Sequence, residues 1–139
     1  MILAIAWTFI IFSFSLQPAE VSDEMSSGFG RKLIEIFAPW LEGMLETMPE
    51  EQLSFLHFLL RKCAHFTEFF ILGVLVWLSR PCVKARRNFI YCVMICLLVA
   101  SVDETIQLFV SGRAGKMWDV FLDTSGATIG SFITKKLYK

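Results

Sequence analysis

The chain has 139 residues, of which 55% are hydrophobic and 19% charged, and its 13 basic and 13 acidic residues give a formal net charge of zero. This composition excludes a disordered polar segment and a basic nucleic-acid-binding domain. With 14 Phe and 4 Trp, the chain holds more large apolar side chains than one small core buries, so we expect lipid to be its second solvent. The sequence therefore predicts a single all-α domain in a membrane.

Four apolar stretches predict a bundle of four transmembrane helices, at residues 1–16, 63–79, 89–110 and 117–134. The first stretch carries no charge and is slightly shorter than the ~20 residues that cross a bilayer. A signal peptide is the alternative, but a basic N-terminal region and a small-residue cleavage site are absent from it. We therefore interpret it as the first span.

The long connection between the first two spans is acidic and contains an amphipathic patch. Pro39 and Gly43 interrupt this patch, which predicts a short interfacial helix in the first external loop rather than a further span. The apolar residues of the patch are Leu33, Ile36, Phe37, Trp40, Leu41 and Met44.

The basic residues of two short segments predict the orientation. No acid accompanies them in the connection between the second and third spans or at the C-terminal end, where they are Arg80, Lys84, Arg86, Arg87, Lys135, Lys136 and Lys139. The positive-inside rule places both segments in the cytoplasm. The N- and C-termini are then cytoplasmic, and the first loop is external.

The polar residues inside the spans all fall toward the external side in this orientation. On the second span, Arg61, His65 and Glu68 are spaced by four and three residues, so they share one helix face. Asp103 and Gln107 are four residues apart on the third span, and Asp119 and Asp123 are four residues apart on the fourth. Ion pairs that tie the helices together would explain this pattern. Because acids outnumber bases, a pocket open to the outer leaflet explains it better.

These positions give the candidate site. The candidate catalytic residues are His65, Glu68, Asp103 and Asp119. The candidate ligand-binding residues are Arg61, Lys62, Glu104, Gln107, Arg113 and Asp123.

The order of these residues resembles a known family. The matching runs are Arg61-Lys62-Cys63-Ala64-His65-Phe66-Thr67-Glu68, Asp103-Glu104-Thr105-Ile106-Gln107, Gly112-Arg113 and Asp119-Val120. Together they resemble the VanZ-like family of bacterial integral membrane proteins over nearly the whole chain. Asp123 departs from the family pattern, which often has Asn there, and this weakens any role assigned to Asp123.

The resemblance implies a protein of the bacterial cell membrane. The founding member of the family is associated with low-level resistance to teicoplanin, a lipid-anchored glycopeptide antibiotic that acts on cell-wall precursors outside the membrane. This implies a connection with glycopeptides and the cell envelope, but it implies no particular reaction.

Three functions stay open at this point. The first is recognition of an outer-leaflet lipid, a lipid-linked cell-wall precursor or a lipoglycopeptide-type antibiotic, with the basic residues meeting an anionic headgroup. The second is an intramembrane hydrolase or transferase acting on such a substrate, with His65 as general acid or base, oriented by Glu68 or Asp119. The third, a proton-coupled transporter, ranks last because the cytoplasmic halves of the spans are apolar.

Cofactors and partners are less defined. The four cysteines lack a CxxC pair, so neither a zinc site nor a disulfide framework is expected. We assign no metal site, although a divalent cation such as Mg²⁺ would suit His65 combined with Glu68, Asp103, Glu104 or Asp119. Membrane lipid is the expected partner. The GxxxG pattern of Gly126 and Gly130 favours helix packing within the bundle, with a homodimer as the alternative.

Overall fold

A computed structural model describes residues 1–21, 28, 32, 48–79, 85–113 and 115–138 of the chain. These residues form four long helices and contain no β-strand, so the predicted all-α class is confirmed. The helices are α1 (Ile2–Ser15), α2 (Glu50–Leu78), α3 (Ala85–Gln107) and α4 (Met117–Leu137). The predicted interfacial helix, from residue 33 to residue 44, lies outside the described residues.

Among the described residues, one helix is long and apolar enough to cross a membrane by length and composition. This segment is Arg87–Gln107, which makes up most of α3. The apolar helix α1 is shorter, with 14 residues, and the apolar runs of α2 and α4 are interrupted by charges.

Helix α2 is longer than the span predicted within it. The helix begins at Glu50, whereas the predicted span begins at residue 63. Glu50 and Glu51 lie in its first turn, where carboxylates interact favourably with the positive end of the helix dipole. Hydrophobicity therefore delimits the apolar part of α2, while the helix itself continues into a polar extension.

The closest packing in the molecule joins α2 to α4 through small residues. A Cβ atom added at Gly73 would lie less than 3.0 Å from the backbone of Ala127, and one added at Gly130 would lie equally close to the carbonyl oxygen of Phe70. Ser131, fully buried, donates a hydrogen bond of 3.1 Å to the Gly73 carbonyl oxygen. Two helix backbones are therefore in direct contact, which only small residues allow.

The two glycines of the GxxxG pattern both face α2. A Cβ atom at Gly126 would lie 2.5 Å from the carbonyl oxygen of Phe66, one turn from the contact at Gly130. Packing within the bundle therefore uses this face of α4. A homodimer through the same glycines stays a prediction, and it would require α2 to be displaced.

The apolar core lies between the helices on the side of the molecule away from the α3–α4 connection. Cys92 and Cys96 are fully buried in it as small apolar side chains. The other core residues are Ala4, Ile11, Phe69, Leu72, Val76, Trp77, Ala100 and Ala127. At the opposite end of the bundle, the buried side chains are polar.

Candidate functional site

Polar side chains from all four helices meet where α1 and α3 end and α4 begins, beside the middle of α2. We call this region the polar centre. Its residues are Ser15, Lys62, His65, Glu68, Asp103, Glu104, Gln107, Arg113, Asp119 and Asp123. Nine of these ten are candidate site residues from the sequence, and the remaining candidate, Arg61, is half-buried on α2 one turn before His65.

Gln107 connects α3 to α1 inside the polar centre. Its Nε2 atom donates a hydrogen bond of 2.9 Å to Oδ2 of Asp103, one turn earlier on the same helix. The same atom lies 3.4 Å from Oγ of Ser15, the last residue of α1. All three side chains are buried. Gln107 therefore holds the Asp103 carboxylate in one orientation.

An ion pair connects α2 to α4. The Nζ atom of Lys62 contacts Oδ2 of Asp119. About one sixth of each side chain is exposed, 17% for Lys62 and 16% for Asp119, so the pair lies at the edge of the polar centre rather than inside it. This contact is of the kind expected if ion pairs tie the helices together.

Two further candidate residues, Glu104 and Arg113, stabilise the segment that connects α3 to α4. Oε2 of Glu104 accepts a hydrogen bond of 2.8 Å from the backbone N–H of Lys116, immediately before α4. The guanidinium of Arg113 donates to the carbonyl oxygen of Phe14 near the end of α1. Gly112 has a φ of 75°, which a glycine adopts without strain. Both charged side chains therefore contribute to the structure of this connection.

Three residues of the polar centre lie close together, one on each of α2, α3 and α4, and we call them the inner triad: His65, Asp103 and Asp123. One nitrogen of the histidine and one oxygen of each aspartate lie within 4.8 Å of one another. Both aspartates are fully buried, and the His65 side chain is 13% exposed. The triad therefore joins α2, α3 and α4 at a single point.

Several polar atoms of the inner triad have no hydrogen-bond partner among the described residues. They are Nδ1 of His65, Oδ1 of Asp103 and both carboxylate oxygens of Asp123. Buried polar atoms are nearly always paired in proteins, so an unpaired group requires an explanation. Four unpaired atoms from three neighbouring residues indicate one explanation that is common to all of them.

The carboxylates expected to orient His65 do not bond to it. Oε2 of Glu68 lies 3.8 Å from Nδ1 of His65, beyond hydrogen-bond distance. Asp119, the other expected partner, pairs with Lys62 instead. Asp103 and Asp123 are the carboxylates of the inner triad. The departure of Asp123 from the family pattern had weakened the role assigned to it. Its spacing of four residues from Asp119 was the signal that placed it on the inward face of α4.

Trp7, which is not among the candidate residues from the sequence, also contacts this region. Its indole Nε1 donates a hydrogen bond of 2.9 Å to the carbonyl oxygen of Glu68, and this bond connects α1 to α2. A buried indole N–H requires an acceptor. A Trp near the middle of an otherwise apolar helix is therefore a signal for such a contact, although it does not identify the acceptor.

An apolar groove lies next to the polar centre, between α2 and α4. Its volume is about 380 Å³, which is within the range of about 300–1,000 Å³ typical of small-molecule sites. The residues that line it are Leu59, Lys62, Cys63, Phe66, Thr67 and Leu122. Lys62 therefore belongs both to the wall of the groove and to the ion pair at the edge of the polar centre.

Comparison with known proteins identifies a family. The model of the VanZ/LLP1 protein family matches residues 1–138, which include all four helices and every residue of the polar centre. No curated protein and no solved structure matches the chain.

Proposed function

The chain belongs to the VanZ/LLP1 family, as its motifs indicated, and on this basis we propose that it is a multi-pass membrane protein that binds an anionic amphiphile from the outer leaflet. The ligand combines a long apolar chain with an acidic polar group. Anionic outer-leaflet lipids, lipid-linked cell-wall precursors and lipoglycopeptide antibiotics such as teicoplanin share this chemistry. The groove beside Lys62 is the observation that carries the proposal.

The exposed surface supports a location in the membrane. Large apolar side chains on α1, α3 and α4 point away from the bundle, and Phe9, Leu98 and Ile129 are 69%, 61% and 44% exposed. A soluble monomer rarely exposes contiguous apolar surface on several helices. In lipid these side chains would face acyl chains, so their exposure would carry no penalty.

The distribution of basic residues supports an outward-facing polar centre. Arg87 lies near the start of α3 and Lys136 near the end of α4, and both are exposed. These helix ends lie opposite the polar centre. Since basic residues favour the cytoplasmic side, the polar centre would face the outer leaflet. Both chain termini would then be cytoplasmic.

The groove combines the two properties that an amphiphile requires. Leu59, Phe66 and Leu122 provide apolar walls for an acyl chain, and Lys62 provides a cation where the groove meets the polar centre. An anionic headgroup there would interact with Lys62 in competition with Asp119. A charge-assisted contact of this kind is stronger than a hydrogen bond between neutral groups.

The inner triad favours an enzyme as the second candidate. Nδ1 of His65 is buried without a hydrogen bond to any described residue, and one nitrogen of the same imidazole lies within 4.8 Å of an oxygen of each of two carboxylates, an environment suited to proton transfer. In this alternative, the protein would hydrolyse or transfer part of the bound amphiphile, with His65 as general acid or base. The ligand would then leave the protein chemically changed.

Native mass spectrometry of the purified full chain tests the proposal. The probes are phosphatidylglycerol, phosphatidylcholine, lipid II and teicoplanin, each added separately in detergent. We expect bound anionic amphiphiles to persist on the wild-type chain, and phosphatidylcholine to bind more weakly. Recovered ligand of unchanged mass supports binding alone, whereas a new product supports the enzyme.

Two variants and one control locate the site. Lys62→Gln removes the cation, and Leu122→Trp fills the groove while leaving every charge in place. Both are expected to reduce retention of the anionic probes. Lys136→Gln removes an exposed cation at the opposite end of the bundle and is expected to bind as wild type. If both site variants retain the probes as well as the control does, the groove is not the binding site.

A further inference from the structure

The inner triad has the dimensions of a metal centre. Metal ions that accept oxygen and nitrogen ligands hold them at about 2.0–2.2 Å, so two ligand atoms of one ion lie at most about 4.4 Å apart. The three ligand atoms of His65, Asp103 and Asp123 already lie within 4.8 Å of one another. Only a small inward movement of the side chains would complete the coordination distances.

The aspartates present oxygen atoms that no described group occupies. Asp123 is fully buried, and neither of its carboxylate oxygens has a hydrogen-bond partner in the described part of the chain. Oδ1 of Asp103 is equally unpartnered, whereas Oδ2 accepts the hydrogen bond from Gln107. A carboxylate with one oxygen held by an amide and the other directed at a metal is a common arrangement around metal sites.

The charges around Asp123 are mainly acidic. Of the described groups whose charges act on Asp123, three are acids, namely Asp103, Glu104 and Asp119, and one is the base Lys62; the base Arg113 acts on Asp103. Lys62 is already paired with Asp119. A buried carboxylate without compensating charge is costly, and a divalent cation would compensate two carboxylates at once.

From these observations we propose that the inner triad binds one divalent cation of the Mg²⁺ and Mn²⁺ class, with His65, Asp103 and Asp123 as its protein ligands. Two carboxylates and one imidazole form a predominantly hard donor set. None of the three described cysteines joins it, because Cys92 and Cys96 lie in the apolar core and Cys63 is exposed. The coordination positions left open would hold water or an oxygen of a bound ligand.

This proposal goes beyond the proposed recognition of amphiphiles and does not depend on it. The cation can bind in the absence of any lipid ligand, and Lys62 and the groove remain the elements assigned to the amphiphile. If both proposals hold, the cation would add positive charge beside an anionic headgroup. Either proposal, the amphiphile site or the cation site, can be refuted while the other stands.

Electron paramagnetic resonance of Mn²⁺ tests the site directly. The purified full chain is treated with a chelator, exchanged into chelator-free detergent buffer, and titrated with Mn²⁺ alone, because bound Mn²⁺ loses the sharp signal of the free ion. We expect one bound Mn²⁺ per chain, and we expect Mg²⁺ to restore the free signal by competition.

Isosteric variants separate the triad from its surroundings. Asp103→Asn and Asp123→Asn each remove a proposed ligand with little change in shape, and we expect each to weaken Mn²⁺ binding more than about 100-fold, since loss of an outer partner alone costs about 10–100-fold. Glu20→Gln is the matched control, because it removes an exposed carboxylate that follows Ala19, whose N–H bonds to Ser111 of the α3–α4 connection, and lies outside the polar centre; it should bind Mn²⁺ within a few-fold of wild type. Circular dichroism and elution volume establish that each variant is folded.

Three results would overturn the proposal. The first is a wild-type chain that binds no stoichiometric Mn²⁺. The second is equal weakening by Glu20→Gln and Asp123→Asn in folded proteins, which would indicate a diffuse acidic surface. The third is a tightly held Zn²⁺ that neither Mn²⁺ nor Mg²⁺ displaces, which would contradict the assigned class of metal.

Discussion

Replacing Gly126 by alanine should separate α2 from α4. The added Cβ atom would lie 2.5 Å from the carbonyl oxygen of Phe66, and real Cβ atoms essentially never approach closer than 3.0 Å. The two backbones must therefore move apart by at least 3.0 − 2.5 = 0.5 Å. The contacted atom is a main-chain carbonyl oxygen, and the added Cβ is fixed directly to the backbone, so no side-chain rotation can relieve the contact.

The expected loss of stability follows from two opposed effects. Overpacking of a close contact costs about 1–3 kcal/mol, and the rigid backbone on both sides places Gly126 at the upper end of that range. Alanine returns about 1 kcal/mol through its higher helix propensity. We therefore expect the free energy of unfolding of Gly126→Ala to fall by about 2 kcal/mol.

Reversible unfolding in mixed micelles, followed by circular dichroism while the fraction of denaturing detergent is raised, measures this change. Ser125→Thr is the control, because it adds a methyl group at an exposed position of the same helix and retains the hydroxyl that bonds to the Leu122 carbonyl oxygen. The double variant with Gly130→Ala should lose less than the sum of the single losses, since one separation of the helices relieves both contacts. A Gly126→Ala protein as stable as wild type would refute the close packing of α2 against α4.

Three further predictions concern other contacts. Ser131→Ala removes the buried hydrogen bond to the Gly73 carbonyl oxygen and should lower the free energy of unfolding by about 1 kcal/mol in the same assay; no change would mean that the bond does not form. Gln107→Leu releases Asp103 from its orienting amide and should weaken Mn²⁺ binding about 10–100-fold in the resonance titration, while unchanged affinity would exclude an orienting role. In intact cells, and in a chain whose four native cysteines are replaced by alanine, a membrane-impermeant maleimide should label Glu20→Cys but not Lys136→Cys, both positions being exposed, and the reverse pattern would invert the proposed orientation.

Helical spacing was sufficient to predict contacts within one helix. The interval of four between Asp103 and Gln107 predicts that their side chains are neighbours, and the structure shows a hydrogen bond of 2.9 Å between them. The interval of three between His65 and Glu68 brings their side chains to 3.8 Å. These contacts follow from the geometry of any α-helix, so they needed no knowledge of the tertiary structure.

Contacts between helices could not be predicted in the same way. By the sequence, any of three bases could pair with any of five acids. Among the contacts that the structure describes, Lys62 pairs with Asp119, and this ion pair follows from the packing of α2 against α4. That packing depends on how each helix is rotated, and the rotation follows from the direct backbone contacts at the glycines. The position of Asp123 depends on the same rotation, which explains why a family pattern alone undervalued it.

The pairing of α2 with α4 has a consequence for biosynthesis. Gly73 and its partner Ser131 are 58 residues apart in the chain, and ribosomes add about 5–20 residues per second, so α2 is complete about 3–12 s before the surface that covers it. When α2 has just been completed, its positive charges and His65 have none of the carboxylates of α3 and α4 beside them, because those two helices are translated later. At that stage the chain therefore requires water, lipid headgroups or an insertion factor to stabilise α2, and α4, which is translated after α1, α2 and α3, completes both the packing and the charge balance.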